Sequence, residues 1–343
     1  MRRFLVLLLV PVMVIFAAPA MADAPEFPDF TPMDFGPEGI AIDNHGNVYV
    51  SVGVPGEPPR TELWKYDPTG DGEVLAVLPG PPPAGLAVDA NGKHVYVAQQ
   101  FAGVFKVDMA GKVELVPGTN AIVVPNSLAF DKHGNLYITE TLSFDGIDGF
   151  SFYENCVGSG FTGWFGRGGI WYVPKGGEAE LLIRDDLLTG ICAPNPIPYP
   201  VGANGLAYRH GSLIVANTEK ALLLEIPVLA DGVLGEISIL TDVPGSSDLG
   251  PWMIDGIALD VHGNIYVAIV TGGAVVRVSP DGTEQEVVGT ALDGLDFPAS
   301  LAFGTGKGER KSLFVTNLAL GPPEFAKPGF AKIDVGQPGM PLP

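Results

Sequence analysis

The feature that most constrains the fold of this chain is a short phrase that occurs six times. Its first copy begins at Pro37 and reads P-E-G-I-A-I-D, followed by a turn containing H-G-N and by the run V-Y-V. The later copies begin at Pro83, Pro125, Ala203, Ile254 and Pro298, at spacings of 46, 42, 78, 51 and 44 residues. Periods of this length are typical of repeat proteins in which each repeat is one supersecondary unit.

Each copy contains two short apolar runs joined by a glycine-bearing turn, and a second pair of runs follows, as in residues 62–66 and 73–77. Four strands per repeat form the blade of a propeller. The sequence therefore predicts an all-β fold, a six-bladed β-propeller with four antiparallel strands in each blade. The last copy has a third strand at 329–335 but no fourth. We expect residues 27–35 to supply it, which would close the ring and remove an exposed sheet edge.

The N-terminus has the pattern of a secretory signal peptide. Two arginines precede an apolar run from residue 4 to residue 18, and Ala20 and Ala22 fit a small-residue cleavage site. We expect cleavage after Ala22, a secreted or periplasmic location, and one domain over residues 23–343. The apolar run is barely long enough to span a bilayer, so an uncleaved anchor is the alternative.

Charge narrows the range of partners. The formal net charge is −20, and nucleic-acid binding depends on Lys and Arg side chains that neutralise phosphates. The sequence therefore argues against a nucleic-acid partner. It also lacks a basic amphipathic helix, so no membrane partner is expected once the signal peptide is removed. We expect a monomer that acts on a small molecule.

Antiparallel pairing within a blade fixes two faces of the propeller. The start of each first strand and the end of each second strand lie on one face, here termed the top face, and the turns between them lie on the bottom face. His94 follows one such bottom turn, and four histidines fall within the others: His45, His133, His210 and His262. We expect all five to be turn residues that tolerate unusual backbone angles, rather than metal ligands or general bases.

One variable position opens each inner strand, directly before a Gly or Ser. Across the six blades it reads Glu38, Ala84, Asn126, Asn204, Asp255 and Ala299. Pseudo-symmetry places this position at one height around the axis, so the four oxygen-bearing side chains are predicted to converge on one metal ion. Two carboxylates and two amide carbonyls suit Ca²⁺. Mg²⁺, Mn²⁺ and Zn²⁺ fit less well, since Mg²⁺ prefers a tighter octahedron and Zn²⁺ prefers His or Cys. Any one of these residues alone would be an ordinary turn residue, because Asn-Gly and Asp-Gly are common turn dipeptides.

The longest spacing, between the third and fourth copies, marks an insertion at 143–169. It follows a second strand, so we expect it on the top face, either as a lid that selects an apolar substrate or as a packed cap. Its Trp164 is a candidate substrate contact. Cys156 lies in the insertion and Cys192 in the following crossover, and an oxidising compartment would favour a disulfide between them.

Two polar residues end second strands on the top face, Glu140 in the third copy and Asn217 in the fourth. We expect them to contact the substrate or to support the metal ligands from behind. The alternative for both is a solvated strand end.

These residues resemble the family of senescence marker protein (regucalcin), gluconolactonase and related six-bladed lactonases, over residues 35–335. The resemblance implies a catalytic divalent metal, typically Ca²⁺, held by a first-blade Glu, Asn residues of blades three and four, and a fifth-blade Asp. Those positions match Glu38, Asn126, Asn204 and Asp255. It also implies that Asp255 acts as general base or nucleophile. Members that act on sugar lactones carry an Arg where this chain has Val124, so the resemblance does not extend to the substrate.

The expected function is therefore Ca²⁺-dependent hydrolysis of a lactone or ester. A non-catalytic propeller that binds a ligand or protein, with the ion as a structural axle, is the alternative, since a fold does not by itself imply turnover. A third reading, metal-free chemistry like that of strictosidine synthase, does not require this four-residue set.

Overall fold

The computed structural model describes residues 27–144, 150–156, 161–192, 199–229, 232–243 and 253–342. Within these ranges the chain forms 26 β-strands and three short 3-10 helices. None of the helices in the described part of the chain has the length and apolar character needed to span a bilayer. The predicted signal peptide, residues 1–22, lies outside the described residues.

Six four-stranded antiparallel sheets form the blades. Blade one contains β2 (Pro37–Ile42), β3 (Val48–Val54), β4 (Arg60–Tyr66) and β5 (Gly72–Pro79). Blade two contains β6 (Pro83–Val88), β7 (His94–Gln99), β8 (Gly103–Asp108) and β9 (Val113–Leu115). Blade three contains β10 (Pro125–Phe130), β11 (Leu136–Glu140), β14 (Gly169–Val173) and β15 (Glu180–Arg184).

The second half of the ring repeats this plan. Blade four contains β16 (Ala203–Arg209), β17 (Ser212–Asn217), β18 (Leu222–Pro227) and β19 (Ser238–Asp242). Blade five contains β20 (Ile254–Leu259), β21 (Ile265–Ile269), β22 (Ala274–Val278) and β23 (Gln285–Gly289). Blade six contains β24 (Pro298–Phe303), β25 (Ser312–Asn317), β26 (Gly329–Asp334) and β1 (Phe30–Pro32). The 3-10 helices lie in crossovers between blades, at Thr119–Ala121, Asp186–Leu188 and Ala291–Asp293. The predicted six-bladed propeller is confirmed, and each inner strand begins where a sequence copy begins.

The ring is closed by the N-terminal strand, as the sequence predicts. Strand β1 pairs antiparallel with β26, with Phe30 opposite Ala331 and Pro32 opposite Gly329. Blade six therefore combines strands from both ends of the described chain, and the outer edge of β26 is paired instead of exposed.

The recurrent bottom turns are built around an aspartate. In blade one, Asp43 Oδ1 accepts hydrogen bonds from the backbone N–H of His45 and Asn47 at 2.8 and 3.0 Å, and Oδ2 accepts from the Asn47 side chain at 2.7 Å. The same three bonds recur at Asp131 and at Asp260. These bonds fix the turn locally, which explains why the Asp-x-His-Gly-Asn pattern repeats.

The histidines do lie in or beside these turns, but they do not share an unusual backbone. The left-handed position belongs to the following glycine, as at Gly46 with φ 86°, whereas only His210 among the histidines has a positive φ, 50°. Blade four has the shorter turn Arg209–Ser212, which forces both His210 and Gly211 into the left-handed region. The predicted tolerance of unusual angles is therefore right for His210 and wrong for the other four.

The hydrophobic core is divided into clusters, six of which lie between neighbouring blades. The cluster between blades one and two, for example, packs Tyr49 and Leu63 against Leu86 and Val97. Equivalent clusters join every other pair of neighbours, including blades six and one. Apolar side chains thus hold the blades face to face, which leaves the inner strand edges facing the axis.

The insertion forms a separate two-stranded hairpin between β11 and β14. Its strands are β12 (Phe150–Cys156) and β13 (Phe161–Gly166), with Phe150 opposite Gly166. An additional bridge joins Ser143 to Gly166 and ties the hairpin to the end of blade three. Trp164 stands in β13 opposite Phe152.

Candidate functional site

The four predicted ligands occupy the second residue of β2, β10, β16 and β20. Asn126, Asn204 and Asp255 are only 8, 5 and 7 % exposed, so none of these side chains is splayed toward solvent. In all six inner strands the pairing register with the second strand shifts at this position, between Pro37 and Ile40 in blade one and at the matching residues elsewhere. A bulge re-aims the side chain it contains, which accounts for the departure from regular strand alternation here.

Small residues after the ligand position let the blades approach closely. A Cβ built on Gly39 would lie 2.4 Å from the Ala84 carbonyl oxygen of the next blade. A Cβ on Gly205 would lie 2.4 Å from the Asp255 carbonyl oxygen. At these two glycines, a side chain larger than hydrogen would therefore push the neighbouring inner strands apart.

Hydroxyl groups of second-strand residues join neighbouring blades. Thr139 Oγ1 in blade three donates to the Asn204 carbonyl of blade four at 2.7 Å, and accepts from the Ser127 N–H at 2.9 Å. Thr316 Oγ1 in blade six makes the same bond to the Glu38 carbonyl at 2.7 Å. Each threonine thus fixes the backbone of a predicted ligand in the next blade.

Both asparagines are oriented by a threonine behind them. Asn126 Nδ2 donates to Thr141 Oγ1 at 3.2 Å, and Asn204 Nδ2 donates to Thr218 Oγ1 at 3.0 Å. These bonds commit the amide nitrogens and leave the carbonyl oxygens as the groups available to a cation. Sequence reasoning missed these threonines, although a signal exists. In each blade the first residue of the inner strand pairs with a residue of the second strand, and the residue after that partner is Thr only in the two blades that carry an Asn: Gly53, Gln100, Thr141, Thr218, Val270 and Leu318.

The two carboxylates lie close enough to affect each other. Burial raises the pKa of Glu38 well above its usual value, and the charge of Asp255 raises it further. Burial raises the pKa of Asp255 to about 7, opposed by hydrogen bonds from the Asn204 side chain and the Gly256 backbone. Glu38 Oε2 is buried and has no hydrogen-bond partner. A buried carboxylate oxygen of this kind is costly unless a cation compensates it.

This set of donors fits a hard cation. Two carboxylates and two amide oxygens are ligand types that Ca²⁺ accepts, with water or substrate completing the shell. In the part of the chain that the structure describes, no three His, Cys, Asp or Glu side chains cluster. The predicted set contains only two such side chains, because amides supply the other half.

Glu140 and Asn217 are not solvated strand ends, since both are fully buried. Glu140 accepts from Val123 N–H at 2.8 Å and from Trp171 Nε1 and Arg184 Nη1, both at 2.7 Å. Asn217 Nδ2 donates to the carbonyls of Leu187 and Thr189 in the crossover entering blade four. These bonds tie both side chains to the crossovers and strands of their own blades, and substrate contact and support of the metal ligands stay predictions for both.

Two further residues that sequence reasoning missed play the same part. Gln99 Nε2 donates to the Pro81 carbonyl at 2.8 Å, and Asn317 Nδ2 donates to the Gly294 carbonyl at 2.8 Å. Both residues end a second strand, as Glu140 and Asn217 do. The last residue of the second strand therefore anchors the crossover that leads into its own blade in four of the six blades.

Apolar side chains cover the top of blade three, beside Asn126. Val124, Leu142 and Phe165 form a buried cluster, and Tyr199 packs against it. This cluster borders the four predicted ligands, here termed the hub, because Val124 lies two residues before Asn126. Burial raises the pKa of Tyr199 to about 12, and the charge of Glu38 contributes to the rise. Val124, which stands where sugar-lactone-acting members of the resembling family carry Arg, is thus part of a larger group of apolar side chains.

The crossover that carries Cys192 is fixed to blade four. Glu219 Oε2 accepts from the N–H groups of Ile191 and Cys192 at 2.6 and 2.7 Å. The side chains of Cys156 and Trp164 fall outside the described part of the insertion, so the disulfide and the Trp164 contact stay predictions.

A cavity of about 890 Å³ lies between the inner strands and extends to the bottom face. Inner-strand residues such as Ile42 and Val88 line it, together with Asn44 and His210 of the bottom turns. Residues 339–342 enter it, held by a bridge between Gly339 and Asp260. The four predicted ligands do not line this cavity, but its lining reaches Ser127 and Gly256, the residues directly after Asn126 and Asp255.

Comparison with known proteins places these features in context. Residues 201–319 match the family model described as SMP-30/Gluconolactonase/LRE-like region. This segment contains Asn204 and Asp255 but not Glu38 or Asn126. A search of curated protein sequences finds no match.

Solved structures share the fold along nearly the whole chain. A luciferin-regenerating enzyme has a TM-score of 0.66 at 15 % identity, covering 90 % of this chain and 94 % of that one. A calcium-binding protein, regucalcin, from Agrobacterium tumefaciens has a TM-score of 0.63 at 20 % identity, with coverage of 93 and 98 %. A gluconolactonase from Xanthomonas campestris has a TM-score of 0.60 at 17 % identity, with coverage of 89 and 86 %. The predicted resemblance to the SMP-30/gluconolactonase/LRE-like proteins is therefore confirmed, by the family model in residues 201–319 and by the shared fold elsewhere.

Proposed function

We propose that this chain is an exported, Ca²⁺-dependent hydrolase of a lactone or carboxylic ester, and that Glu38, Asn126, Asn204 and Asp255 hold the ion. The family match and the gluconolactonase neighbour support a lactonase-type hydrolase. The neighbour described as calcium-binding supports the choice of ion.

One observation carries the proposal. The buried carboxylate of Asp255 and the half-buried carboxylate of Glu38 affect each other at the hub, and the buried oxygen Glu38 Oε2 has no hydrogen-bond partner. Taking two like charges out of water is unfavourable unless a positive charge compensates them. A divalent cation would supply that charge, and the amide oxygens of Asn126 and Asn204 are oriented by their threonines to complete the set.

The chain's own residues have separable tasks. When bound, the cation supplies a positive charge that polarises the carbonyl of the substrate and favours oxyanion formation. Asp255 accepts a proton from an attacking water or attacks the carbonyl carbon itself. The hydrogen bond from Asn204 and that from the Gly256 backbone hold the Asp255 carboxylate in place. Glu38 and Asn126 position the ion.

Export would place the protein in an oxidising compartment, which would permit the Cys156–Cys192 disulfide. Mass spectrometry of the mature protein should find residue 23 at the N-terminus and a mass lower than that of the reduced chain by two hydrogen atoms. An intact residue 1, or two alkylatable thiols in the native protein, would contradict this part of the proposal.

The activity test uses purified protein on lactone and aryl-ester panels, with and without chelator, alongside measurement of bound metal. We expect turnover of at least one substrate. Chelation should abolish it and added Ca²⁺ should restore it, and Asp255→Asn should remove it. The matched control is Asp293→Asn. Asp293 is an exposed carboxylate in the capping box of a short 3-10 helix, and it is not one of the predicted ligands. A folded, Ca²⁺-loaded protein that is inert on every panel would favour the non-catalytic binding propeller.

A further inference from the structure

Three aromatic rings from three different parts of the chain meet on the top face beside the hub. Phe101 stacks on Phe144 with ring centroids 6.4 Å apart and planes within 12°, and it meets Tyr199 edge-on at 6.5 Å. Phe144 also contacts Phe165, which belongs to the buried cluster with Val124 and Leu142. The rings thus extend a core cluster out to the surface as a continuous apolar wall, here termed the aromatic wall (Phe101, Phe144, Phe165 and Tyr199).

The wall is partly uncovered, in a way that ordinary core packing does not explain. Phe101 and Phe144 are each 52 % exposed, although their rings touch. Exposed aromatic surface next to a site is characteristic of a surface that a ligand covers. Tyr199 connects the wall to the hub, since it packs against the cluster that contains Val124, two residues before Asn126, and its hydroxyl donates to Gln100 Oε1 at 3.0 Å.

Phe101 is held in an unfavourable backbone conformation. Its φ is 59°, in the left-handed region that a bulky residue rarely adopts. Its N–H donates to the Val123 carbonyl at 2.8 Å, which fixes the turn against the crossover into blade three. A glycine would satisfy this backbone without strain, so the phenyl ring is present despite a local cost. Strain of this kind concentrates where a side chain has a functional task.

The charges around the wall restrict what can lie on it. The hub contributes two carboxylates, and the arginines of blade three are engaged elsewhere, Arg167 with Asp186 at 2.9 Å and Arg184 with Glu140 at 2.7 Å. With Ca²⁺ bound, the charges of the two hub carboxylates would be balanced, and both arginines are already paired with carboxylates of the chain, so neither is available to an anionic substituent. A polyhydroxylated substrate would have to give up water against apolar rings that offer no hydrogen bonds in return.

We propose that the substrate is an uncharged lactone or ester bearing an aromatic or bulky apolar substituent, which packs on Phe101, Phe144 and Tyr199 while the carbonyl faces the hub. The hydrolysis of this substrate rests on the proposed function, whereas the binding of its apolar substituent to the aromatic wall does not. The aromatic wall selects the substituent, and the hub residues act on the carbonyl.

The experiment compares two lactones that share a ring and differ only in one substituent, γ-phenyl-γ-butyrolactone and γ-valerolactone, with glucono-δ-lactone as the polar reference. We expect kcat/KM to favour the phenyl compound over the methyl compound by about tenfold or more, the size expected from burying a ring against aromatic partners. Glucono-δ-lactone should be the poorest of the three.

The decisive variant is Phe101→Gly, because it removes the ring while relieving the backbone strain. We expect it to retain or raise Tm and to lower kcat/KM for the phenyl lactone about tenfold, with the methyl lactone changed less than twofold. Phe144→Ala should act in the same direction. Phe325→Ala is the control, since Phe325 is exposed on the blade-six loop and is not part of the wall.

Calorimetric binding of γ-phenyl-γ-butyrolactam to the Ca²⁺-loaded protein separates this inference from the hydrolase proposal. If no lactone is hydrolysed but the lactam binds and Phe101→Gly weakens it about tenfold, the apolar site stands and the hydrolase falls. If both lactones are hydrolysed equally and Phe101→Gly affects both alike, the hydrolase stands and the aromatic wall is not a substrate site. Absence of both turnover and lactam binding would overturn both.

Discussion

Blades three and six differ at the hub by a single residue. Strand β10 reads Pro-Asn-Ser-Leu-Ala-Phe from Pro125, and strand β24 reads Pro-Ala-Ser-Leu-Ala-Phe from Pro298. Both strands have the same register shift, and both are followed by a second strand whose threonine bonds the serine N–H at 2.9 Å. The residues that build the blade are thus shared, and the residue that distinguishes the blades at the hub is Asn126 or Ala299.

The comparison also shows that a blade without a ligand can still serve the site. Thr139 of blade three holds the Asn204 carbonyl, and Thr316 of blade six holds the Glu38 carbonyl. Blade six therefore fixes one of the predicted charged ligands although its own hub residue is alanine. Ligand supply and ligand placement are separate tasks, and each can be changed alone.

The largest effect is expected from Asn126→Ala, which gives blade three the hub residue of blade six. We expect Ca²⁺ affinity to fall by more than the ~10–100-fold typical of losing an outer partner of a metal ligand, because a direct ligand is lost. Stability of the metal-free protein should change little, since alanine already fits this position in blade six. Calcium titration by calorimetry and thermal melts with chelator would measure the two effects separately. Unchanged Ca²⁺ affinity would remove Asn126 from the site.

The two charged ligands come from blades one and five, so the pH dependence of stability should be set by the carboxylates of those blades. In the metal-free protein the pKa values of Glu38 and Asp255 are raised, the latter to about 7, above unfolded values of about 4. The folded state then binds more protons than the unfolded state between these limits. This contribution to stability is therefore present below about pH 4 and is lost as pH rises through about 7.

Thermal melts from pH 5 to pH 8 test this expectation. We expect the Tm of the chelated wild type to fall by several degrees more than that of chelated Asp255→Asn over this interval. Saturating Ca²⁺ should abolish this difference in the slope of Tm against pH. Asn126→Ala should keep the wild-type slope, because it removes no charge. Equal slopes for the chelated wild type and Asp255→Asn would contradict the raised pKa of Asp255.

Much of this arrangement could be predicted from the sequence, because a propeller converts repeat position into radial position. The six copies give the starts of the inner strands, and the ligand position follows from a comparison of the copies. The closing strand β1 was predictable for the same reason, since blade six lacked a fourth strand in its own repeat. Periodicity alone determined these features.

The sequence did not reveal the contacts between blades. The bond from Thr316 to Glu38 joins residues 278 positions apart, and nothing in either repeat indicates the partner. The same holds for Glu140, whose polarity on the top face suggested substrate contact, while its bonds to Trp171 and Arg184 place it inside its own blade. Polar residues at matching positions were recognisable as special, but their partners depend on packing.

A smaller effect is expected when the hydroxyl bridges are removed. Thr139→Val and Thr316→Val keep the side-chain shape but leave a buried carbonyl and a serine N–H without their partner. Each should lower the free energy of unfolding by about 1–3 kcal/mol, and should weaken Ca²⁺ binding through displacement of Asn204 or Glu38. Ser51→Ala is the matched control, because Ser51 bonds the carbonyl of Ala84, which carries no ligand. Denaturant unfolding and calcium titration should show a stability loss in all three variants and an affinity loss only in the threonine variants.

The smallest effect is expected from Ala299→Asn, which gives blade six the hub residue of blade three. In blade three the amide of Asn126 is oriented by Thr141, but the equivalent residue of blade six is Leu318, which offers no hydroxyl. The new amide would lack that orientation, so we expect Ca²⁺ affinity to change less than about threefold, within roughly 0.6 kcal/mol. The double variant Ala299→Asn with Leu318→Thr restores the pair and should tighten Ca²⁺ binding beyond either single change. Additive or absent effects in a calorimetric double-mutant cycle would show that the threonine does not orient the amide, and would weaken the same argument for Asn126 and Asn204.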